Sequence, residues 1–545
     1  MRYSPPILFF LLCCSVVLRG QNLSRTDAIL SYLGVDDPQE LDSNEVERLE
    51  HIMDAPLEVN LLSESELRAS GIFSPYQVAV ISDYIKRHGQ ILSLTELSLL
   101  DGLGEEFVRK ISPFISLKPH EAGSRGLRQD LAIRGSVRWQ EEYDGSYGAK
   151  YRLESDGKLT AVLAASRPVG AKSWSPSSYS GSVGFKFRRV PLRVVAGDFN
   201  ARYGQGLVLW SNSFLNTMTT PDNFMKKPTG ITQPFSFTGA NSLHGMAATI
   251  DIAKVQVSAI AAFEGMKITP AVNVSWFGRY GQASVTSTMS RSGVDAAFCL
   301  RGVNLFGEMA YDWLEKTPSV LLGTRFRTGE RVDMATQARA FLKDQYGASA
   351  AALYSLGQRG QVALSMDAMY YSVSKDKEDT FSVQLKSQLS CDLTINSSWK
   401  VKFRLSERFR TWGLPFRTDV RADVVYSCNP LVLTLRMNAL NCDGTGYLSY
   451  LEGGYVADRL TLYLRQGIFH IDDWDDRIYV YERDAPGSFT SPAMYGRGLW
   501  TAMTASAKLT RSLKLYARAS FIGYPFMEKK KLGKAELKLQ LQYRF

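Results

Sequence analysis

"KAELKLQLQYRF", Lys534 to Phe545, decides how the rest of the chain is read. Ala535, Leu537, Leu539, Leu541, Tyr543 and Phe545 alternate with Glu536, Lys538, Gln540, Gln542 and Arg544. Successive side chains of a strand point to opposite faces, so one face of this segment is apolar and the other charged. The pattern recurs at Leu431, Leu433, Leu435 and Met437, at Leu513, Leu515, Ala517 and Ala519, and at Phe381, Val383 and Leu385. Such runs extend over about ten residues, enough for a tilted strand to cross a bilayer. Turn signals at Asp156-Gly157, Val190-Pro191 and Asn429-Pro430 separate some of them; longer polar stretches, Val169 to Ser180, Ser211 to Gly239 and Ile471 to Gly496, separate others.

A soluble β-sandwich alternates too, but unbroken strand signal from Leu127 to Phe545 fits one poorly. Short turns on one side and long loops on the other are the habit of outer-membrane barrels. The expected fold is therefore mainly β: a large antiparallel transmembrane β-barrel of about 20–26 strands, spanning residues 127–545. Closure would satisfy every backbone amide in lipid, which an open sheet cannot do. A last strand ending in Phe545 resembles outer-membrane proteins, whose barrel-assembly machinery recognises that end. The implied partners are that machinery, outer-membrane lipid and lipopolysaccharide.

The beginning of the chain agrees. Arg2, the apolar run Ile7 to Leu18 and the small Gly20 form a secretory signal. The run is too short for a membrane helix, which takes about 20 residues. Residues 1–20 are the expected signal peptide. Of six cysteines, Cys13 and Cys14 leave with it; Cys299, Cys391, Cys428 and Cys442 are too scattered for a zinc site or a disulfide framework.

Residues 21–118 read as helices. "DSNEVERLEHIMD" places Val46, Leu49, Ile52 and Met53 at helical spacing, Ser63 and Glu66 form a capping-box pattern, and Pro75 and Gly89 bracket another helix. This segment has 8 Lys+Arg against 17 Asp+Glu, a net charge of −9, whereas residues 119–545 carry +17. The overall charge of +10 thus hides an acidic module joined to a basic one through the polar linker 119–126.

Within the module, "LEVNLLSESELRASGIFSPYQVAVISDYIKRHGQILSLTELSLLDGLGEEFVRKISPFI", residues 57–115, resembles the tandem helix-hairpin-helix domain of ComEA-type competence DNA receptors. The first hairpin falls on Gly71, Ile72 and Phe73, the second on Gly102, Leu103 and Gly104. The whole arrangement also resembles a Bacteroidetes-type family of outer-membrane barrels, through "GDFNARYGQGLVLW" (Gly197 to Trp210), "LFGEMAYD" (Leu305 to Asp312) and "RIYVYERDAPGSFTSPAMYGRG" (Arg477 to Gly498). That second resemblance implies an architecture and a Gram-negative outer membrane, with the module in the periplasm, but no activity.

The ComEA resemblance implies phosphate contacts at Gly71, Ile72, Gly102, Leu103 and Gly104, aided by Arg109 and Lys110. In such a hairpin, glycines allow the tight turn and the next helix's amides hold the phosphate. Here Phe73 replaces the first hairpin's second glycine, and Pro75 has no amide hydrogen to donate. Glu105 and Glu106 follow the second hairpin, where they answer the helix dipole themselves and repel an anion. The module's negative charge opposes DNA at longer range as well. The expected role is therefore to plug the lumen or to dock a periplasmic or outer-membrane protein partner, with DNA binding and uptake as the alternative.

Nothing in the sequence lines up for catalysis, for a cofactor or for a metal. His244 and His470 fall in the barrel without a recognisable catalytic motif, so no enzyme is expected. Asp472, Asp473, Asp475 and Asp476 lack the spacing of a calcium loop and read as a solvated acidic loop. Lys386, Arg404, Arg436, Lys514, Arg518, Lys538 and Arg544 lie opposite apolar neighbours on strand-like segments. On a lumen face they would either favour anionic solutes or neutralise acids such as Glu536.

Overall fold

The computed structural model describes residues 25–35, 43–117 and 126–545, apart from 141, 156, 188, 212–217, 235, 238–240, 266, 330, 342–344, 376–377, 415, 489 and 528–531. The expected signal peptide, nearly all of the linker and Asp156 lie outside the described residues.

Twenty-four antiparallel strands close into one barrel. The alternating segment Lys534–Arg544 performs the closure. Lys534–Arg544 pairs with the first barrel strand, Arg128–Trp139, in a register running from Ala535 opposite Trp139 to Arg544 opposite Asp130. Phe545 extends that ladder by exchanging two backbone hydrogen bonds with Gln129, at 2.8 and 3.0 Å. The barrel therefore leaves no free edge in lipid.

Its faces are inverted relative to a soluble protein. Ile133, Val183, Val274, Leu322 and Leu539 are exposed on the outer face, whereas Ser136, Ser182, Asn273, Gln337 and Gln540 are buried on the inner one. An apolar exterior around a polar interior is stable only where the surrounding solvent is hydrocarbon. On the side holding both ends of the barrel, strands are joined by turns of two to five residues; the opposite side carries the long connections 168–177, 203–242, 472–495 and 524–533. Together, closure, face inversion and loop asymmetry place the chain in a Gram-negative outer membrane.

Among the described residues, six α-helices precede the barrel: α1 (Arg25–Leu33), α2 (Ser43–Asp54), α3 (Glu64–Ala69), α4 (Pro75–His88), α5 (Leu94–Ser98) and α6 (Gly104–Ile111). Ser63 and Glu66 form the anticipated capping box on α3. Ser74 and Gln77 form a second one on α4, whose first residue, Pro75, occupies a position where no amide is needed. Leu49, Val59, Ile72, Val78, Ile81, Ile91, Leu97, Ile111 and Phe114 are buried together, giving the helices an apolar core of their own. A short parallel pair, Leu57–Glu58 with Ile115–Ser116, ties the beginning of this region to its end.

Candidate functional site at the inner wall

In their described residues, the two longest loops, 203–242 and 472–495, do not stand out from the barrel. Loop 203–242 buries Tyr203, Phe224 and Phe237, and loop 472–495 buries Ile478, Val480 and Ala485. Each is pinned by buried acids. Glu308, on the inner face of the strand Val303–Asp312, accepts from the amides of Gln205 (2.6 Å), Leu207 (3.1 Å) and Val208 (3.2 Å). Gly204 takes φ +61 here, and a Cβ on it would lie 2.8 Å from the Glu308 carboxylate. Two of the quoted barrel motifs are thus halves of one contact: the glutamate of "LFGEMAYD" holds the glycine turn of "ARYGQGLV".

The third motif works in the same way. Glu482 accepts from the Trp500 indole at 2.7 Å and from Arg518 Nε at 2.9 Å, with all three side chains buried. Asp484 pairs with Lys538 at 2.5 Å and accepts from the Thr490 hydroxyl at 2.6 Å. Arg465 and Arg483 share Glu452. At the tip, the Pro486 carbonyl accepts from Gln540 and the Gly487 carbonyl from Arg134, both at 2.9 Å.

Both loops reach the helices. The Gly487 amide donates to Glu50 on α2 at 2.9 Å. Lys227 donates to the Ile72 carbonyl (2.8 Å) and the Tyr32 hydroxyl (3.1 Å), Thr219 to the Gly34 carbonyl, and Asp222 joins Lys110 to Arg325 of the wall. Helix α2 also meets the wall directly. Glu45 pairs with Arg202 at 2.8 Å, Glu47 with Lys150 at 3.4 Å, and Asp54 with Lys514 at 3.5 Å and Arg544 at 3.4 Å. Lys150, Lys514 and Arg544 share the parity of the buried polar residues, so these carboxylates engage the lumen-facing row. From α3, Glu66 reaches Lys186 at 2.7 Å, and Arg68 lies over the Phe277 ring at 3.9 Å.

Electrostatics at this contact are sharply differentiated. Burial alone would raise the Glu45 and Asp54 carboxyls, but Arg48 and Arg202 around Glu45, and Arg25 and Lys514 around Asp54, hold both below their usual values. His51 is kept neutral by burial and by Arg152 and Arg128. Glu50 behaves oppositely: burial pushes it up to about 7, against the pull of the Gly487 amide and Arg25.

Glu50 gives a pH prediction with a definite sign. Its folded value of about 7 exceeds its ordinary 4.5, so between those values the folded chain binds more protons than the unfolded one. The Glu50 contribution to stability therefore falls as pH rises through that window and levels off above it, while His51, held neutral, contributes in the opposite sense below its ordinary 6.5. Glu45 and Asp54 titrate below the window, where acid costs stability instead. Relative to the unaltered chain, Glu50→Gln should therefore protect residues 43–54 from limited proteolysis at pH 8 and make no such difference at pH 5. A pH dependence unchanged in that variant would assign it to another group.

The residues proposed from sequence as phosphate contacts lie elsewhere on the module. Gly71, Gly102 and Gly104 do take positive φ (+67, +75 and +72), as tight turns require. Their surroundings are protein. A Cβ on Gly71 would meet Thr229 of the loop, one on Gly102 would meet Tyr76, and one on Gly104 would meet Arg327 of the barrel, each at 2.9 Å. The Ile72 amide bonds to Ser70 Oγ and the Leu103 amide to the Leu100 carbonyl. Lys110 is engaged by Glu106 and Asp222, while Arg109 remains exposed.

Other expectations change in three dimensions. Asp476 is fully buried rather than solvated, because its two oxygens accept from the amides of Cys442 (2.8 Å) and Gly444 (2.6 Å) and fix that hairpin. Asp472 similarly holds Thr445. Both barrel histidines find an aspartate: His244 pairs with Asp198 at 2.8 Å and His470 with Asp472 at 3.3 Å. The first pairing spans 46 positions, which no local motif would reveal. Six of the seven basic strand residues pair with acids: Arg404 with Asp419, Arg436 with Asp423, Arg518 with Glu482, Lys538 with Asp484, Arg544 with Asp130 and Lys514 with Asp54.

No family model and no curated protein matches the sequence. Among solved structures, the chain is similar to the siderophore receptor PirA from Pseudomonas aeruginosa, at 8% identity and a TM-score of 0.41, over 79% of this chain and 82% of that one. PirA from Acinetobacter baumannii gives 7% and 0.44 over 77% and 80%, and the translocation pore of the P pilus usher PapC gives 8% and 0.40 over 77% and 99%. At these scores nothing about cargo carries over.

Proposed function

We propose that this protein is a non-enzymatic transport barrel whose helical module plugs the lumen. The observation that carries the reading is the spread of α2's ion pairs: Glu45, Glu47 and Asp54 reach Arg202, Lys150, Lys514 and Arg544, on strands from both ends of the barrel sequence. A helix bonded to inward-facing cations on several strands of a closed barrel obstructs the space they surround. The opposed net charges of module and barrel give this docking its driving force, and the inward loops add a second constraint through Glu50, Ile72 and Gly34. Removing the module and measuring liposome conductance tests the proposal; conductance equal to that of the intact chain would sink it.

Docking of a periplasmic protein partner is a compatible second role. Leu92 and Leu99 are 79% and 81% exposed on the module, and a protein partner seated there would cover both. In the same reading, the outer face meets lipid and lipopolysaccharide, and the strand ending at Phe545 presents itself to the barrel-assembly machinery. DNA uptake remains the rival. In a gel-shift titration of the intact chain at low salt, we expect no shift of duplex DNA, since the Ile72 and Leu103 amides are engaged and Lys110 is paired. A shift abolished by bulky residues at Gly102 and Gly104 would restore the DNA reading.

A further inference from the structure

Lys386, the seventh basic strand residue, is exposed, and no ion pair holds it among the described residues. Its neighbours make it unusual. In the strand register Lys386 lies directly opposite Arg408, and Arg408 lies directly opposite Arg417. Directly paired residues of antiparallel strands have Cα atoms about 5 Å apart. Like charges so placed repel, and a sheet tolerates them only at a cost in stability. Arg410 follows two residues after Arg408 on the same face. Four cations thus share one patch of the inner wall, contributed by the strands Glu378–Thr394, Trp399–Arg410 and Phe416–Cys428.

The patch is not neutralised from within. Arg410 donates to the neutral Gln384 amide oxygen at 2.9 Å, and Arg417 donates to the backbone carbonyls of Asp475 and Arg477. Arg408 Nε is buried without an acceptor among the described residues. Among the described residues each nearby carboxylate has other work, and Asp419, two residues after Arg417 on the same face, pairs with Arg404 at 3.3 Å. Asp367, opposite Lys386, is bound by Arg339 and Ser349; Asp475 faces Arg477; Asp476 caps two amides. Glu407 points to the outer face, as the alternation of its strand requires. Elsewhere on the inner wall, arginines sit beside aspartates, as Arg421 and Arg436 do around Asp423. A cavity of about 1010 Å³ follows the same row, with Asp367, Lys386, Arg408 and Arg417 among its lining residues. The polar contacts of the helical module described above fall on other strands.

We propose that Lys386, Arg408, Arg410 and Arg417 form a binding site for a small multivalent oxyanion of the phosphate type. Guanidinium groups bind such anions through two parallel N–H donors, and an ammonium adds a point charge. A bound anion would relieve the repulsion that the empty row maintains. The site names a substrate class for the transport reading. It depends on the lumen-facing parity of these strands and not on the module acting as a plug.

Calorimetric titration of the intact, detergent-solubilised chain with inorganic pyrophosphate tests the site directly. We expect saturable binding, weakened at least tenfold in the double variant Lys386→Gln and Arg408→Gln and unchanged in Arg436→Gln, which alters a paired cation. Thermal melting provides a second readout. Pyrophosphate should raise the melting temperature of the unaltered chain, because a ligand that binds only the folded state stabilises it. Without pyrophosphate, the double variant should melt at or above the temperature of the unaltered chain, since it removes like-charge contacts. Absence of binding, or binding that survives in the double variant, overturns the proposal. Because binding is measured without conductance, its failure is distinct from failure of the plug.

Discussion

Liposomes carrying a chain that lacks residues 21–118 should conduct far better than liposomes carrying the intact protein. A closed barrel of 24 strands encloses a wide lumen, since diameter grows roughly linearly with strand number. Relieved of the helices, loops 203–242 and 472–495 would also lose their contacts to Gly34, Ile72 and Glu50. An increase on the order of tenfold is expected, with residual constriction from whatever part of the loops stays pinned to the wall. A gentler variant keeps the module but reverses its docking charges: Glu45→Lys with Asp54→Lys sets cations against Arg202, Lys514 and Arg544. Its conductance should lie between those of the deletion and the intact chain, and raising the salt should soften the effect of the reversal by screening. Identical conductance for all three proteins would remove the module from the permeation path.

The Glu482→Ala variant should be the most damaging single substitution in the loop system. Glu482 and Arg518 are 1% and 2% exposed, and Glu482 also receives the buried Trp500 indole. Removing the carboxylate leaves a buried guanidinium with Glu536, at 3.4 Å, and the Ser520 hydroxyl, at 3.2 Å, for partial relief. Breaking a buried pair in this way typically costs about 3–5 kcal/mol, and the remaining acid should keep the loss near the lower end. A lower melting temperature is expected, together with faster proteolysis of 472–495 and of α2, because the Pro486-Gly487 tip would no longer be presented to Glu50. Glu482→Gln, which still accepts from Trp500, should fall in between. Unchanged melting and an unchanged cleavage pattern in Glu482→Ala would show that the loop is held by its other contacts.

These predictions draw unequally on what could be read in advance. Strand alternation from Phe381 to Phe545 announced the barrel, because a period of two is a local property and survives without knowledge of partners. The caps at Ser63 and Pro75 were equally local. The motif built around Glu308 was visible as letters but mute as chemistry: its carboxylate serves amides roughly a hundred positions earlier. Asp476 was misread for the same reason, since only the folded hairpin shows it capping Cys442 and Gly444, whereas Asp472, Asp473 and Asp475 are exposed as expected. The lumenal cations were recognised as a class, yet their division into six paired residues and one unpaired lysine depended on register.

By itself, then, the sequence determined the alternation, the faces, the helix caps and the −9 against +17 charge division. These follow from neighbours along the chain or from simple composition. Only the tertiary structure decided which acid meets which base, that the long loops turn inward, and that the hairpin glycines pack against protein. Those outcomes depend on closure. Pairing Lys534–Arg544 with Arg128–Trp139 brings residues 414 positions apart within an ion pair's reach, and no local pattern encodes that distance.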